Sequence, residues 1–301
     1  MIKALSHIFI KNNHNYTDPT VRRGYGIICS VSGIMLNLIM FFIKMTVGAL
    51  SGSVAVTVDA IHNLTDSASS VAVLLSFFFS NRTKTKKFPS GLGRIEYIAG
   101  FMISVILIST GYKLARASIT KIITPEPVFF SFFSVILLII SVLTKFYMAK
   151  FNYCYSKKIS SSALKAAATD CLCDSFSTMI AAFALTATNF TSFNFDAWGG
   201  LAVSFFILYA GCKSAKDCFG LLLGMPPDEK MLFATEQIKI LFPQITDISD
   251  IALHDYGVNN KILSFRVIFA ENTNIDSIHS IKNEISDYIS NETGCECNII
   301  I

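Results

Sequence analysis

Val58-Asp-Ala-Ile-His-Asn-Leu-Thr-Asp66 lies inside an apolar run from Ser53 to Phe79, and its reading decides the fold. The run is long enough to span a bilayer, where Asp59, His62 and Asp66 are costly residues. At about 100° per residue, His62 and Asp66 fall one turn apart on one helix face. Asp59 projects near that face, one turn towards the N-terminus. A second apolar run repeats the device, because Thr169-Asp-Cys-Leu-Cys-Asp174 sets Asp170 and Asp174 four residues apart. Two buried helices with polar pairs at that spacing can enclose one cation between them.

The composition agrees with a membrane setting. Of 301 residues, 52% are hydrophobic and 15% charged, against about 25% charged in an ordinary soluble domain. The mean hydropathy is +0.53. A net charge of +4, concentrated in loops without a basic stripe, excludes nucleic acid as a partner. Eight cysteines at scattered positions do not form the framework of a secreted disulfide protein. The first long apolar run begins near Tyr25 and exceeds a signal-peptide core, so it reads as a first transmembrane helix.

Six spans are predicted, at 25–49, 53–79, 94–118, 128–149, 163–188 and 197–222. Residues 1–23 form a cytoplasmic N-terminal segment, 24–225 the six-helix transmembrane domain and 226–301 a cytoplasmic domain. Loop charges orient the chain. Arg82, Lys84, Lys86, Lys87 and Arg94 lie between spans two and three, and Lys145, Lys150, Lys157, Lys158 and Lys165 lie around the connection of spans four and five. The connection from Thr188 to Trp198 has no Lys or Arg. Lys113, Arg116 and Lys121 near the opposite side run against this pattern. The balance places both termini in the cytosol, in a multi-pass protein of the cell (inner) membrane.

After span six, Pro226-Pro-Asp-Glu229 breaks one helix and starts another. The tail then reads as helix 228–242, strand 248–257, a turn at Gly257–Asn260, strand 261–270, helix 275–292 and strand 295–301. Asn274 is the expected N-cap of the second helix, and Ile278, Ile281, Ile285 and Ile289 form its apolar stripe. This αββαβ layer is too small for a large enzyme domain.

One imidazole (His62) and three carboxylates (Asp66, Asp170, Asp174) suit a tetrahedral divalent ion. Zn²⁺ is usual in mixed nitrogen–oxygen sites, and the oxygen-rich set moves the preference towards Mn²⁺ or Fe²⁺. The alternative is that the aspartates bond neighbouring hydroxyls, with Thr57, Thr65, Ser67 and Thr169 available. Asp59 is either an access group for protons or ions, or a partner of Lys44, which can equally snorkel to an interface. Cys171 and Cys173 read as small packing residues. Coordination needs deprotonated ligands, so metal and protons compete for the same atoms, which is the basis of an antiporter. No phosphate-binding G-x-x-x-x-G-K-[ST] loop occurs, and an ATP-driven pump is disfavoured.

From Tyr25 onward the chain resembles the cation diffusion facilitators. The markers, in order, are Gly48-Ala-Leu50 leading into S-G-S-V-A-V, D-A-I-H-N-L-T-D, F-P-S-G-L-G-R-I-E-Y before span three, D-C-L-C-D and L-H-D-Y-G. The resemblance implies six spans followed by a small cytoplasmic α+β ferredoxin-like domain. It also implies a homodimer whose tails pair in the cytosol, and a transport site of His62, Asp66, Asp170 and Asp174. Zinc-selective relatives commonly carry a His-and-Asp pair in both spans and manganese types are all oxygen, so this chain stands between them. Phe88 to Glu96 lacks the loop histidines that bind a further ion in such proteins, and Leu221 to Gly224, just after span six, lacks the acidic residue that would pair with Arg94.

The function expected is export of a divalent transition metal, Zn²⁺, Mn²⁺ or Fe²⁺, by proton antiport across the bilayer. The metal is cargo, and no cofactor and no enzyme activity are expected. A membrane-anchored metal sensor or scaffold without transport is the alternative, and a membrane-embedded hydrolase lacks a second motif for substrate chemistry. In the tail, His254, Asp255, His279, Cys295 and Cys297 have ligand chemistry, and some of them are candidates for a regulatory metal site that draws two tails together; the alternative is that His254 and Asp255 are surface strand-end residues and that Cys295-Glu-Cys297 alternates across a strand.

Overall fold

The structure, a computed structural model, describes residues 16, 18–51, 54–80, 86–124, 132–187, 195–257, 260–270 and 275–301. It divides into two units, one of residues 1–81 and 95–219 and the other of residues 82–94 and 220–301. The segment just before the third long helix thus belongs with the tail.

Among the described residues there are six long helices: α1 (Pro19–Ser51), α2 (Val54–Ser80), α3 (Ile95–Ile123), α4 (Phe132–Lys158), α5 (Ser162–Ala187) and α6 (Phe195–Leu223). The start of α1 is set by its cap. Pro19 takes the first helical position, and Asp18 accepts from the Thr20 amide at 2.7 Å and from the Thr20 hydroxyl. Residues 19–23, expected in a polar segment, are therefore helical, with Val21, Arg22 and Tyr25 buried. The far end of α4 also differs from expectation. The helix continues to Lys158 because Met148, Ala149, Phe151 and Tyr155 extend its buried face past the expected end at 149.

By length and composition, Pro19–Val47, Ile95–Ile123 and Val135–Lys158 are long and apolar enough to cross a membrane. Of the other long helices, α2 and α5 carry the clustered polar residues, and α6 carries Lys213, Lys216 and Asp217. The main core joins Tyr25 and Cys29 of α1, Val73 and Phe77 of α2, Ile103 of α3, Met148 and Tyr155 of α4, and Ala163, Leu164 and Ala167 of α5. A smaller cluster joins Leu107, Cys173, Val203 and Ile207 across α3, α5 and α6. Gly26 is required where α1 meets α2, since a Cβ there would lie 2.5 Å from the Phe77 ring. Phe42, Leu143, Phe146, Phe183 and Phe205 point outwards, an apolar exterior suited to lipid.

The tail contains α7 (Glu229–Leu241), β1 (Ile245–Asp255), β2 (Lys261–Phe269), α8 (Ile275–Thr293) and β3 (Glu296–Ile300). The Asp228 carboxylate caps α7, accepting from the Met231 amide at 2.8 Å. β1 pairs antiparallel with β2, and β2 pairs parallel with β3. The parallel pair requires a crossover, which α8 supplies. Ile281, Ile285 and Ile289 of α8 pack with Leu263, Phe265 and Val267 of β2 and with Met231 and Ile238 of α7. Ile278 is only half-buried, and Asn274, the expected cap, lies outside the described residues.

The 86–94 segment is bound to the β1–β2 corner of the same unit. Arg94 Nε donates to the Asp255 carbonyl at 2.7 Å, its guanidinium lies 4.7 Å from the Tyr256 ring centre, and Asn260 donates to the Ser90 carbonyl at 2.5 Å. Arg94 thus finds a carbonyl and a ring where the resemblance would have paired it with an acid after span six. Gly257, at φ +121°, could carry no Cβ without meeting Gly93 Cα at 2.6 Å.

Candidate metal site between the helices

α2 holds His62 and Asp66 one turn apart, and α5 holds Asp170 and Asp174 likewise. The structure brings His62, Asp66 and Asp174 together, with one ligand atom from each within 4.8 Å of the others. His62 Nε2 is 3.9 Å from Asp66 Oδ1 and 3.9 Å from Asp174 Oδ1. Ligand atoms around a tetrahedral ion bound at about 2.0–2.2 Å lie about 3.3–3.6 Å apart, so both separations have only a few tenths of an ångström to close. Asp66 and Asp174 side chains are 10% and 9% exposed, while His62 is 45% exposed, so one side of the cluster is open. Asp170 is also buried and within electrostatic reach of Asp174, Asp66 and His62.

The hydroxyl alternative finds no support at three of its positions. Thr65, Ser67 and Thr169 each donate to a backbone carbonyl four residues earlier on their own helix. Cys171 and Cys173 are buried, one in each apolar cluster. Asp59 lies on α2 with its side chain outside the described residues. Lys44 does not snorkel: it is 1% exposed, and its ammonium donates to Ser141 Oγ at 2.8 Å.

Lys145 is the residue that sequence reasoning misplaced. Counted among loop charges, it lies inside α4, where its ammonium bridges Asp66 Oδ2 and, at 2.8 Å, Asp174 Oδ2. The signal was its setting, Val142-Leu-Thr-Lys-Phe-Tyr-Met148, where one charge interrupts an apolar stretch. A second missed element is a buried ion pair. Arg22 Nη2 of α1 meets Glu96 Oε2 of α3 at 2.5 Å, while its Nε donates to the Ile159 carbonyl in the α4–α5 turn at 2.9 Å.

The tail residues do not assemble as expected. Among the described residues the His62, Asp66 and Asp174 group is the one cluster of three or more such residues. Asp255 instead serves the turn, accepting from the Gly257 amide at 2.8 Å with Lys261 3.8 Å away. His254 and His279 are exposed on separate elements, β1 and α8. Cys295 and Cys297 turn into the core, as alternate strand residues must, and burial pushes the Cys297 thiol up to about 12. Within one chain the five candidates therefore form no cluster of three among the described residues, and strand alternation and the turn account for Cys295, Cys297 and Asp255.

Long apolar helices around a set of cation ligands with two buried carboxylates define a helical membrane protein that handles cations. Residues 30–223 match the cation efflux transmembrane domain, and the chain belongs to that family, the cation diffusion facilitators. The family is one of transporters, so this is a multi-pass membrane protein of metal cation transport. The chain is 22% identical over 266 residues to an uncharacterized transporter of Methanocaldococcus jannaschii, covering 88% of this chain and 94% of that one. It is 26% identical over 264 residues to the manganese efflux system protein MneS of Bacillus subtilis, covering 86% and 89%. With the magnetosome protein MamB of Paramagnetospirillum magneticum it shares 24% identity over 212 residues, covering 70% and 72%.

Proposed function

We propose that this protein exports a divalent transition metal from the cytosol in exchange for protons. The observation that carries the reading is the meeting of His62 and Asp66 from α2 with Asp174 from α5 among membrane helices. Asp170, one turn from Asp174, completes the ligand set. An imidazole among carboxylates suits Zn²⁺, Mn²⁺ and Fe²⁺, and similarity to a protein named for manganese efflux favours Mn²⁺. Cargo and protons take the same lone pairs, so opening the site to one side and then the other exchanges one for the other.

In this reading the six long helices all cross the inner membrane, and both termini lie in the cytosol. The tail, with antiparallel β1–β2 and an α8 crossover to β3, is a ferredoxin-like domain through which two copies of the chain pair.

Flux in proteoliposomes under an imposed pH gradient, with Zn²⁺, Mn²⁺, Fe²⁺ and Cd²⁺ in parallel, tests this. Metal movement that needs both the gradient and Asp66, Asp170 and Asp174 is the expected result. Binding without flux of any ion would replace the transporter with a membrane-anchored sensor.

A further inference from the structure

Lys145 divides each of two carboxylates. Its ammonium takes Asp66 Oδ2 and Asp174 Oδ2, one from α2 and one from α5, and its side chain is 6% exposed. The other oxygen of each group, Oδ1, is the one that faces His62 Nε2 at 3.9 Å. Each aspartate therefore offers one oxygen to a fixed cation on α4 and one to the space beside the imidazole.

Resting on the transport reading above, we propose that Lys145 is a built-in counter-cation that sets how tightly the site holds its cargo. Coordination requires ionised carboxylates. Asp66, Asp170 and Asp174 together with one ammonium leave two negative charges, the match for one divalent ion. Without the ammonium the same ligands would carry three, and a bound divalent ion would be harder to release. In a poorly screened interior a unit charge a few ångströms away acts strongly on such an equilibrium. A transporter has to let go as well as bind, so the site gains turnover from a charge that weakens it. The ammonium also joins α2 to α5 through groups that the cargo contacts, which holds both Oδ1 atoms towards His62. Lysine suits this place because its compact point charge can serve two separate carboxylates, whereas arginine's planar fork favours one.

The test uses the full-length protein with Lys145→Met and Lys145→Arg. Mn²⁺ and Zn²⁺ affinity is measured by titration calorimetry in detergent and flux in proteoliposomes, each normalised to folded protein by size-exclusion profile. Lys145→Met is expected to bind the ion about tenfold or more tightly and to show a lower maximal flux with a lower half-saturating concentration. Lys145→Arg, which keeps the charge, should not tighten binding as Lys145→Met does. A Lys145→Met protein with unchanged or weaker affinity overturns the proposal, as does a Lys145→Arg protein that tightens as much. A purely structural lysine would lower the yield of folded protein and leave affinity per folded molecule alone. Should Lys145→Met not fold, Lys145→Gln carries the same expectations. Wild-type protein that moves no ion would count against the transport reading, independently of the ratio between variant and wild-type affinities.

Discussion

Asp174 faces the His62 imidazole on one side and the Lys145 ammonium on the other, and the two contacts lead to different consequences of its loss. Read from sequence, Asp174→Ala should abolish transport and leave the protein folded, because Ala is easier to bury than an unpaired carboxylate. The carboxylate is paired, however, and its removal leaves the buried Lys145 with Asp66 alone. Flux should still be lost, but with a destabilisation approaching about 3 kcal/mol, the lower end of what breaking a buried pair costs. Thermal unfolding in detergent would show this as a lowered midpoint, which Lys145→Met in the same chain should largely restore. His62 decides something different. As the one imidazole of the cluster, its replacement in His62→Asn should shift the Zn²⁺/Mn²⁺ flux ratio towards Mn²⁺ by about tenfold. An unchanged ratio would place selectivity elsewhere.

At the scale of elements, the helices are joined at one end by Arg22, which reaches both Glu96 of α3 and the Ile159 carbonyl, with its guanidinium 5.3 Å from the Phe77 ring centre. Glu96→Ala leaves that guanidinium buried without its carboxylate, so a loss of about 3–5 kcal/mol is expected. Arg22→Met combined with Glu96→Leu should cost far less than either single truncation, a comparison that thermal unfolding in detergent can make. Neither residue was legible in the sequence as a partner, since one seemed part of a polar tail and the other part of a loop motif. In the 86–94 segment, Gly93→Ala would drive a Cβ into the Tyr256 carbonyl oxygen. The 86–94 segment should then detach from the β1–β2 corner and become cleavable by trypsin at Lys86, Lys87 and Arg94, while the tail core around Phe265 and Ile285 stays protected.

At the scale of the whole molecule, the charge pattern of the loops sets an expectation about sidedness. Single cysteines at residues 2 and 301, in a chain otherwise free of reactive thiols, should label with an impermeant maleimide from the cytosolic side alone, and opposite labelling of the two would mean an odd number of crossings. Patterning over a few residues determined much by itself. The spacing of His62 with Asp66 and of Asp170 with Asp174, the long apolar runs and the αββαβ order of the tail are all local, because a helix turn or a strand alternation is specified by neighbouring residues. Only the tertiary structure decided which charges meet. Lys145 lies 79 residues from Asp66 and 29 from Asp174, and Arg22 lies 74 from Glu96. A lysine in sequence looks the same whether it snorkels, sits in a loop or fills a charged cavity. Its role is settled when packing removes water and leaves two carboxylates as the partners within reach. The same holds in reverse for the tail, where the sheet and its turn take up Asp255, Cys295 and Cys297.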